Sequence, residues 1–143
     1  MNIEVQGPKF TLGSLGGCEI KDAILKNASF EGVSMHDADF KNSNFSGSEF
    51  YLVLATGASF YGATLSNVKF LGGSYRDVDF TNADLSGAVF SEDNMGGAVN
   101  ICGANFSNAK IDHASFESVL YDHSTKFPIG FSTNRKGFKL ENF

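Results

Sequence analysis

The sequence predicts a solenoid, a chain that coils about its own axis and bends at regular intervals. Three observations carry that prediction. A large apolar residue recurs at every fifth position from Ile20 to Met95, through Leu25, Phe30, Met35, Phe40, Phe45 and Phe50 and on through Phe60, Leu65, Phe70, Tyr75, Phe80, Leu85 and Phe90, with Ala55 the one small centre. A small residue stands two positions before each centre, as at Cys18, Ala23, Ala28, Val33 and Ala38, and Asp93 is the clear break. Two positions after nearly every centre comes Gly, Asn or Asp: Asp22, Asn27, Gly32, Asp37, Asn42 and Gly47, then Gly57, Gly62, Asn67, Gly72, Asp77, Asn82 and Gly87. A strict period of five fits neither the 3.6 of a helix nor the 2 of a flat strand. Residues that tolerate turn geometry at every interval let the chain bend there, and the same residues are poor helix formers.

Composition narrows the class. The 143 residues suit one domain with a sizeable core. There are fifteen Phe, sixteen Gly, two Pro and no Trp, yet no apolar run approaches the ~18–20 residues of a spanning helix, so a membrane span is not expected. Met1–Phe10 has neither a basic n-region nor an apolar h-region, which makes the cytoplasm the expected compartment. Two cysteines cannot form a disulfide framework, and a formal charge of −5 argues against direct nucleic-acid binding by phosphate neutralisation.

The units Ala83-Asp84-Leu85-Ser86-Gly87, Ala38-Asp39-Phe40-Lys41-Asn42 and Ala104-Asn105-Phe106-Ser107-Asn108 resemble those of the pentapeptide repeat family, over roughly residues 18–123. The resemblance implies an all-β fold, a right-handed quadrilateral β-helix with four units per coil. Positions twenty apart should then stack. One column reads Phe10, Phe30, Phe50, Phe70, Phe90; a second Ile20, Phe40, Phe60, Phe80; a third Leu25, Phe45, Leu65, Leu85; and a mixed fourth Leu15, Met35, Ala55, Tyr75, Met95. Rings stacked at the ladder spacing of ~4.8 Å make the Phe structural, each buried side chain contributing roughly 1.5–3 kcal/mol.

In chain order, residues 1–14, where Pro8 breaks the pattern, are expected to cap one end, and residues 15–123 to form five to six coils. Within 96–100 the register slips by one residue, which a bulge at Gly96 and Gly97, residues that can adopt positive φ, should absorb. The centres then continue as Ile101, Phe106, Ile111, Phe116 and Tyr121. Residues 124–143 are not repeat and are expected to cap the other end, with Phe127 and Phe131 over the last coil. Thr125-Lys126-Phe127-Pro128 with Gly130-Phe131 is similar to the tail that closes many bacterial members of the family, which implies a bacterial source. Lys126, Arg135, Lys136 and Lys139 against Glu141 give this tail +3 and leave −8 for residues 1–123.

No catalytic, metal or cofactor site is expected. His36, His113 and His123 fall on separate faces or distant coils, and Ser is abundant without a neighbouring His. Cys18 should face inward and Cys102 outward, four coils apart, too far for a disulfide. Two surface features stand out instead. Tyr51, Leu52 and Leu54 point outward, Leu71 lies one coil above Tyr51, and Tyr61 is outward on a further face; such apolar residues on a polar rod point to a protein partner, with a homodimer as one form of it. Asp37, Asp39, Asp77 and Asp79 share one corner at a two-coil interval, with Glu19 one coil below, and form an acidic ridge. Such ridges resemble those of family members that mimic DNA and act on topoisomerases such as gyrase, although this chain is shorter, lacks an evident dimerising C-terminal helix, and carries Lys41 and Arg76 beside the ridge. The leading expectation is a non-enzymatic protein–protein interaction scaffold. The alternatives are an inhibitor or protector of a type II topoisomerase and a secreted effector.

Overall fold

Each five-residue unit buries two side chains and turns once. In the unit 38–42, Ala38 and Phe40 are 1% and 0% exposed, Asp39 points outward between them, and Asn42 turns the chain at φ 60°. The computed structural model describes residues 7–141. The first six residues of the expected N-terminal cap, with that part of the Met1–Phe10 reading, and Phe143 of the tail lie outside the described residues.

The described residues form nine strands, β1 (Lys9–Thr11), β2 (Ser29–Glu31), β3 (Glu49–Tyr51), β4 (Lys69–Leu71), β5 (Val89–Ser91), β6 (Val99–Asn100), β7 (Ser115–Phe116), β8 (Val119–Tyr121) and β9 (Phe138–Leu140). All pair in parallel, and the described residues contain no helix, so the molecule is an all-β solenoid. Four ladders run along it. The first is β1-β2-β3-β4-β5-β7, the second runs from Ser14 through Ser34, Leu54 and Ser74 into β6, β8 and β9. Glu19, Asp39, Ser59, Asp79, Asn105 and Lys126 make the third, and Ile24, Asn44, Thr64, Asp84 and Lys110 the fourth. The solenoid has about seven turns, more than the repeat units alone give. Lys9–Thr11 before them and Lys126 and β9 after them join the ladders.

All thirteen Gly, Asn and Asp named as turn residues have φ between 54° and 75°. At stacked corners a glycine leaves room for the side chain below it: a Cβ on Gly47 would lie 2.2 Å from Asn27 Oδ1. The small inward position also accepts Ser where the backbone can satisfy it. Ser43 Oγ donates to the Ile20 carbonyl (2.7 Å) and accepts the Ala23 N–H (3.1 Å), and Ser48 does the same one corner on.

The columns form as the twenty-residue coil requires, with one change of ring orientation. Phe40, Phe60, Phe80, Phe106 and Phe127 stack face to face throughout, at 4.8–5.7 Å. In the first column Phe10–Phe30, Phe70–Phe90 and Phe90–Phe116 stack, but Phe50 stands edge-on to Phe30 and Phe70. Its own coil holds an extra ring, Phe45, which meets Phe30, Phe40, Phe50 and Phe60 edge-on. A second ring in one layer leaves no space for a parallel stack, and edge-to-face packing is an equally favourable arrangement. At the C-terminal end Phe127 lies flat on Phe106, and Phe131 and Phe138 pack on Phe116.

The register slip differs from the expectation. Ser74 pairs with Asn100 and Asp79 with Asn105, so this turn carries six residues more than a twenty-residue coil, not one. They are expelled as a loop, not absorbed as a bulge; Gly96 has positive φ (82°) and Gly97 does not. Met95 is therefore 88% exposed, and Ile101 fills the place above Tyr75. The reason lies in Asp93, which occupies the small inward position of its unit: an unpaired carboxylate in the core is prohibitively costly, so the whole unit leaves.

Candidate functional site

The loop that Asp93 forces out is organised by the same carboxylate. Asp93 Oδ1 accepts the N–H groups of Met95 (2.7 Å) and Gly97 (3.0 Å), while its own N–H donates to the Gly97 carbonyl (2.9 Å). The loop lies beside the apolar residues singled out from the sequence. The Tyr51 hydroxyl is hydrogen-bonded to the Asn94 side-chain oxygen, and a Cβ on Gly72 would meet the Asp93 carboxylate at 2.6 Å. Leu71 stands directly above Tyr51, and both are half-buried. Leu52 and Leu54 remain exposed, and Met95, next to the Asn94 that meets Tyr51, is exposed as well. The sequence reading missed Met95 because it matched a core centre in type and register; the acid two residues before it was the available signal.

Leu52 is unusual in its backbone as well as its exposure. It has φ 52° at a corner position filled by Gly, Asn or Asp in the neighbouring units, and Leu12, two coils below on the same corner, has φ 51° and is 80% exposed. A left-handed conformation costs an L-residue roughly 1–2 kcal/mol, and an aliphatic side chain that stays partly exposed offsets that cost only in part. Tyr61 belongs elsewhere. Its ring lies under the Lys41 ammonium, 5.6 Å from the centroid, and its hydroxyl accepts a hydrogen bond from Asn82 Nδ2 (2.8 Å).

The acidic residues are built into the coil. Asp37 and Asp77 are corner residues at φ 54° and 57°, and each carboxylate lies over the glycine of the next coil, Gly57 and Gly103. Asp39 accepts the Lys41 N–H (3.0 Å) and pairs with Lys21 (3.4 Å); Asp79 accepts the Thr81 N–H (2.8 Å). Glu19 stacks under Asp39, but Ser59 interrupts the column and Lys126 ends it.

His36, His113 and His123 are all exposed, and His113 serves as a corner residue at φ 61°. Cys102 departs from the sequence reading: it is 1% exposed, not outward, because the segment carrying Asp122 and Thr125 closes over it and bonds to the Gly103 N–H. Burial, reinforced by the Asp122 charge, raises its thiol pKa, which disfavours the reactive thiolate. Cys18 is half-buried. Among the described residues no three His, Cys, Asp or Glu cluster as a metal site would require, and no helix is long and apolar enough to cross a membrane. A shallow depression is lined by Asp122, His123, Ser124 and Glu141.

The family profile for the pentapeptide repeat region matches residues 23–99, more than half of the chain. The chain belongs to the pentapeptide repeat family. Among solved pentapeptide repeat proteins it is similar to one from the Arabidopsis thaliana thylakoid lumen, at 27% identity and TM-score 0.54 over 68% of each chain. It is also similar to one from Nostoc PCC 7120, at 23% identity and TM-score 0.54 over 90% of this chain and 84% of that one. No curated protein matches it. In this pentapeptide repeat solenoid, then, the departures from the repeat gather at one corner: Leu12, Leu52, Leu54 and the expelled loop.

Proposed function

We propose that this pentapeptide repeat protein is a non-enzymatic protein-binding scaffold whose docking surface is the corner formed by Tyr51, Leu52, Leu54, Leu71 and Met95. The supporting observation is Leu52, an exposed aliphatic residue in a left-handed conformation that the repeat otherwise gives to Gly, Asn or Asp. A left-handed aliphatic residue that costs the fold about 1–2 kcal/mol and leaves 39% of its surface exposed is better accounted for by a contact outside the chain. Leu54 stands in a column whose neighbours are Ser34 and Ser74, so its apolarity is equally unneeded by the ladder. The test is an affinity capture comparing wild type with a Leu52→Asp/Leu54→Asp double variant. Both sites are exposed and Asp suits the left-handed corner, so the melting temperature should hold or rise while the captured protein is lost; undiminished capture would remove this corner from the function.

The topoisomerase reading has less support. A DNA mimic presents free carboxylates in regular register, whereas Asp37, Asp39, Asp77 and Asp79 are engaged in corners, turns and an ion pair, and Ser59 breaks their column. A supercoiling assay with the purified protein distinguishes the two readings.

A further inference from the structure

We infer that the partner surface fitted by this corner is the C-terminal end of a second copy of the same chain, an inference that rests on the docking corner proposed above. The large apolar side chains exposed among the described residues are Leu12, Leu52, Leu54, Tyr61, Met95 and Ile129. Tyr61 is engaged by Lys41 and Asn82. The remainder fall in two places, the corner and Ile129, whose side chain is fully exposed. Ile129 sits in the turn Pro128–Phe131, closed by the Phe131 N–H to the Pro128 carbonyl (3.1 Å) and seated on the rings of Phe127 and Phe131 that finish the core.

The two places carry opposite charge. Residues 124–143 hold Lys126, Arg135, Lys136 and Lys139 against Glu141. All four cations are exposed, and Arg135 is fixed over the Phe131 ring, 4.4 Å from its centroid. The corner holds Glu92 and Asp93, while on the adjoining β1–β5 face Glu31 and Glu49 are balanced by Lys9 and Lys69, with Lys9 3.9 Å from Glu31. A basic end with an apolar tip thus complements a corner whose apolar residues adjoin Glu92 and Asp93, and complementary potentials guide both encounter and register. The chain cannot satisfy this within itself. β9 is locked on β8 at the end of the solenoid, and Leu54 lies three rungs below Leu120, about 14 Å at the ladder spacing.

Because end and side are different surfaces, the contact is heterologous, and it propagates as an open chain instead of closing as a two-fold dimer. The apolar contact is small, so association is weak and depends on concentration. Sedimentation velocity on the full chain over a hundredfold concentration range, at low and high salt, tests it. The weight-average sedimentation coefficient should rise past that of a dimer and fall back in high salt. Ile129→Asp and Leu54→Asp should each leave a monomer with unchanged circular dichroism and melting temperature. An equimolar mixture of the two variants should form a dimer and nothing larger, since each keeps one intact surface. A wild type that stays monomeric throughout, or a closed dimer that survives Ile129→Asp, overturns the inference and leaves capture of a different protein at the corner intact. Association that depends on Ile129 but persists in Leu54→Asp also overturns the inference, while the corner as such is judged by the capture experiment above.

Discussion

Two sides of the same solenoid obey the repeat to different degrees. Beneath the third ladder the column Phe40, Phe60, Phe80, Phe106, Phe127 is one unbroken stack, and the outward residues there are bonded into turns. Beneath the second ladder the column runs Leu15, Met35, Ala55, Tyr75, Ile101, changing size at every step, and around it lie the expelled loop, Leu52 and Leu54. Backbone hydrogen bonds continue through both, as in Phe60 N–H to Asp79 O (2.8 Å) and Ala55 N–H to Ser74 O (2.8 Å). The scaffold therefore tolerates irregular side chains without losing its ladder, and exposed apolar residues gathered around the second ladder are what a contact there would require.

The regular side should be the less forgiving. Phe60→Ala removes a ring stacked both above and below, in a column with no slack, and is expected to cost about 3–5 kcal/mol in chemical denaturation. A loss below 1 kcal/mol would mean that the stack is not what holds this side together.

The irregular side contains a group that the fold would be better without. Tyr75 is fully buried, its hydroxyl has no hydrogen-bond partner among the described residues, and burial raises its pKa well above the usual value. The one small centre, Ala55, lies directly beneath it and offsets the bulk of the larger ring. An unsatisfied buried hydroxyl costs about 1–3 kcal/mol, so Tyr75→Phe should raise stability by an amount in that range. If Tyr75→Phe is instead destabilising, the hydroxyl has a partner, such as a buried water.

The contrast also explains what the sequence could reveal. Columns, corners and the chemistry of the small position are local consequences of a five-residue period, so Phe30, Asn27 and Ser43 were readable one unit at a time. The six-residue expulsion was not, because Met95 matches a centre by type and only the cost of burying Asp93 shows that its unit leaves the coil. Cys102 depends on residues beyond Asp122 folding over it, a contact no repeat arithmetic contains. The edge-on ring of Phe50 follows from its crowding by Phe45, which emerges only when the layer is packed. Of the candidate surface, the exposure of Leu52 and Leu54 was legible, whereas the loop beside them was not.

Leu52 offers a smaller effect of opposite sign. Asn is common at left-handed corners, as at Asn27, Asn42 and Asn67, so Leu52→Asn should stabilise the isolated protein by about 1 kcal/mol while weakening association. A destabilised Leu52→Asn would show that Leu52 packs usefully within its own chain, which is the strongest internal objection to the docking corner.

The smallest stability effect is expected from the loop itself. Deleting residues 93–98 together with Glu92→Gly restores a twenty-residue turn, with a glycine at the corner that Gly72 occupies one coil below. Val99 then follows that corner as Gly73 follows Gly72, and Ile101 keeps its place over Tyr75. Loop closure entropy varies slowly with length, about 0.6 kcal/mol per doubling, so thermal stability should change little. Association should fall, because Met95 and the acidic residues of the loop are gone while Leu52 and Leu54 remain. If stability collapses, the loop is a strut and not a surface. If both stability and association survive, the expelled unit is tolerated for its cheapness, and the corner must be drawn around Leu52 and Leu54 alone.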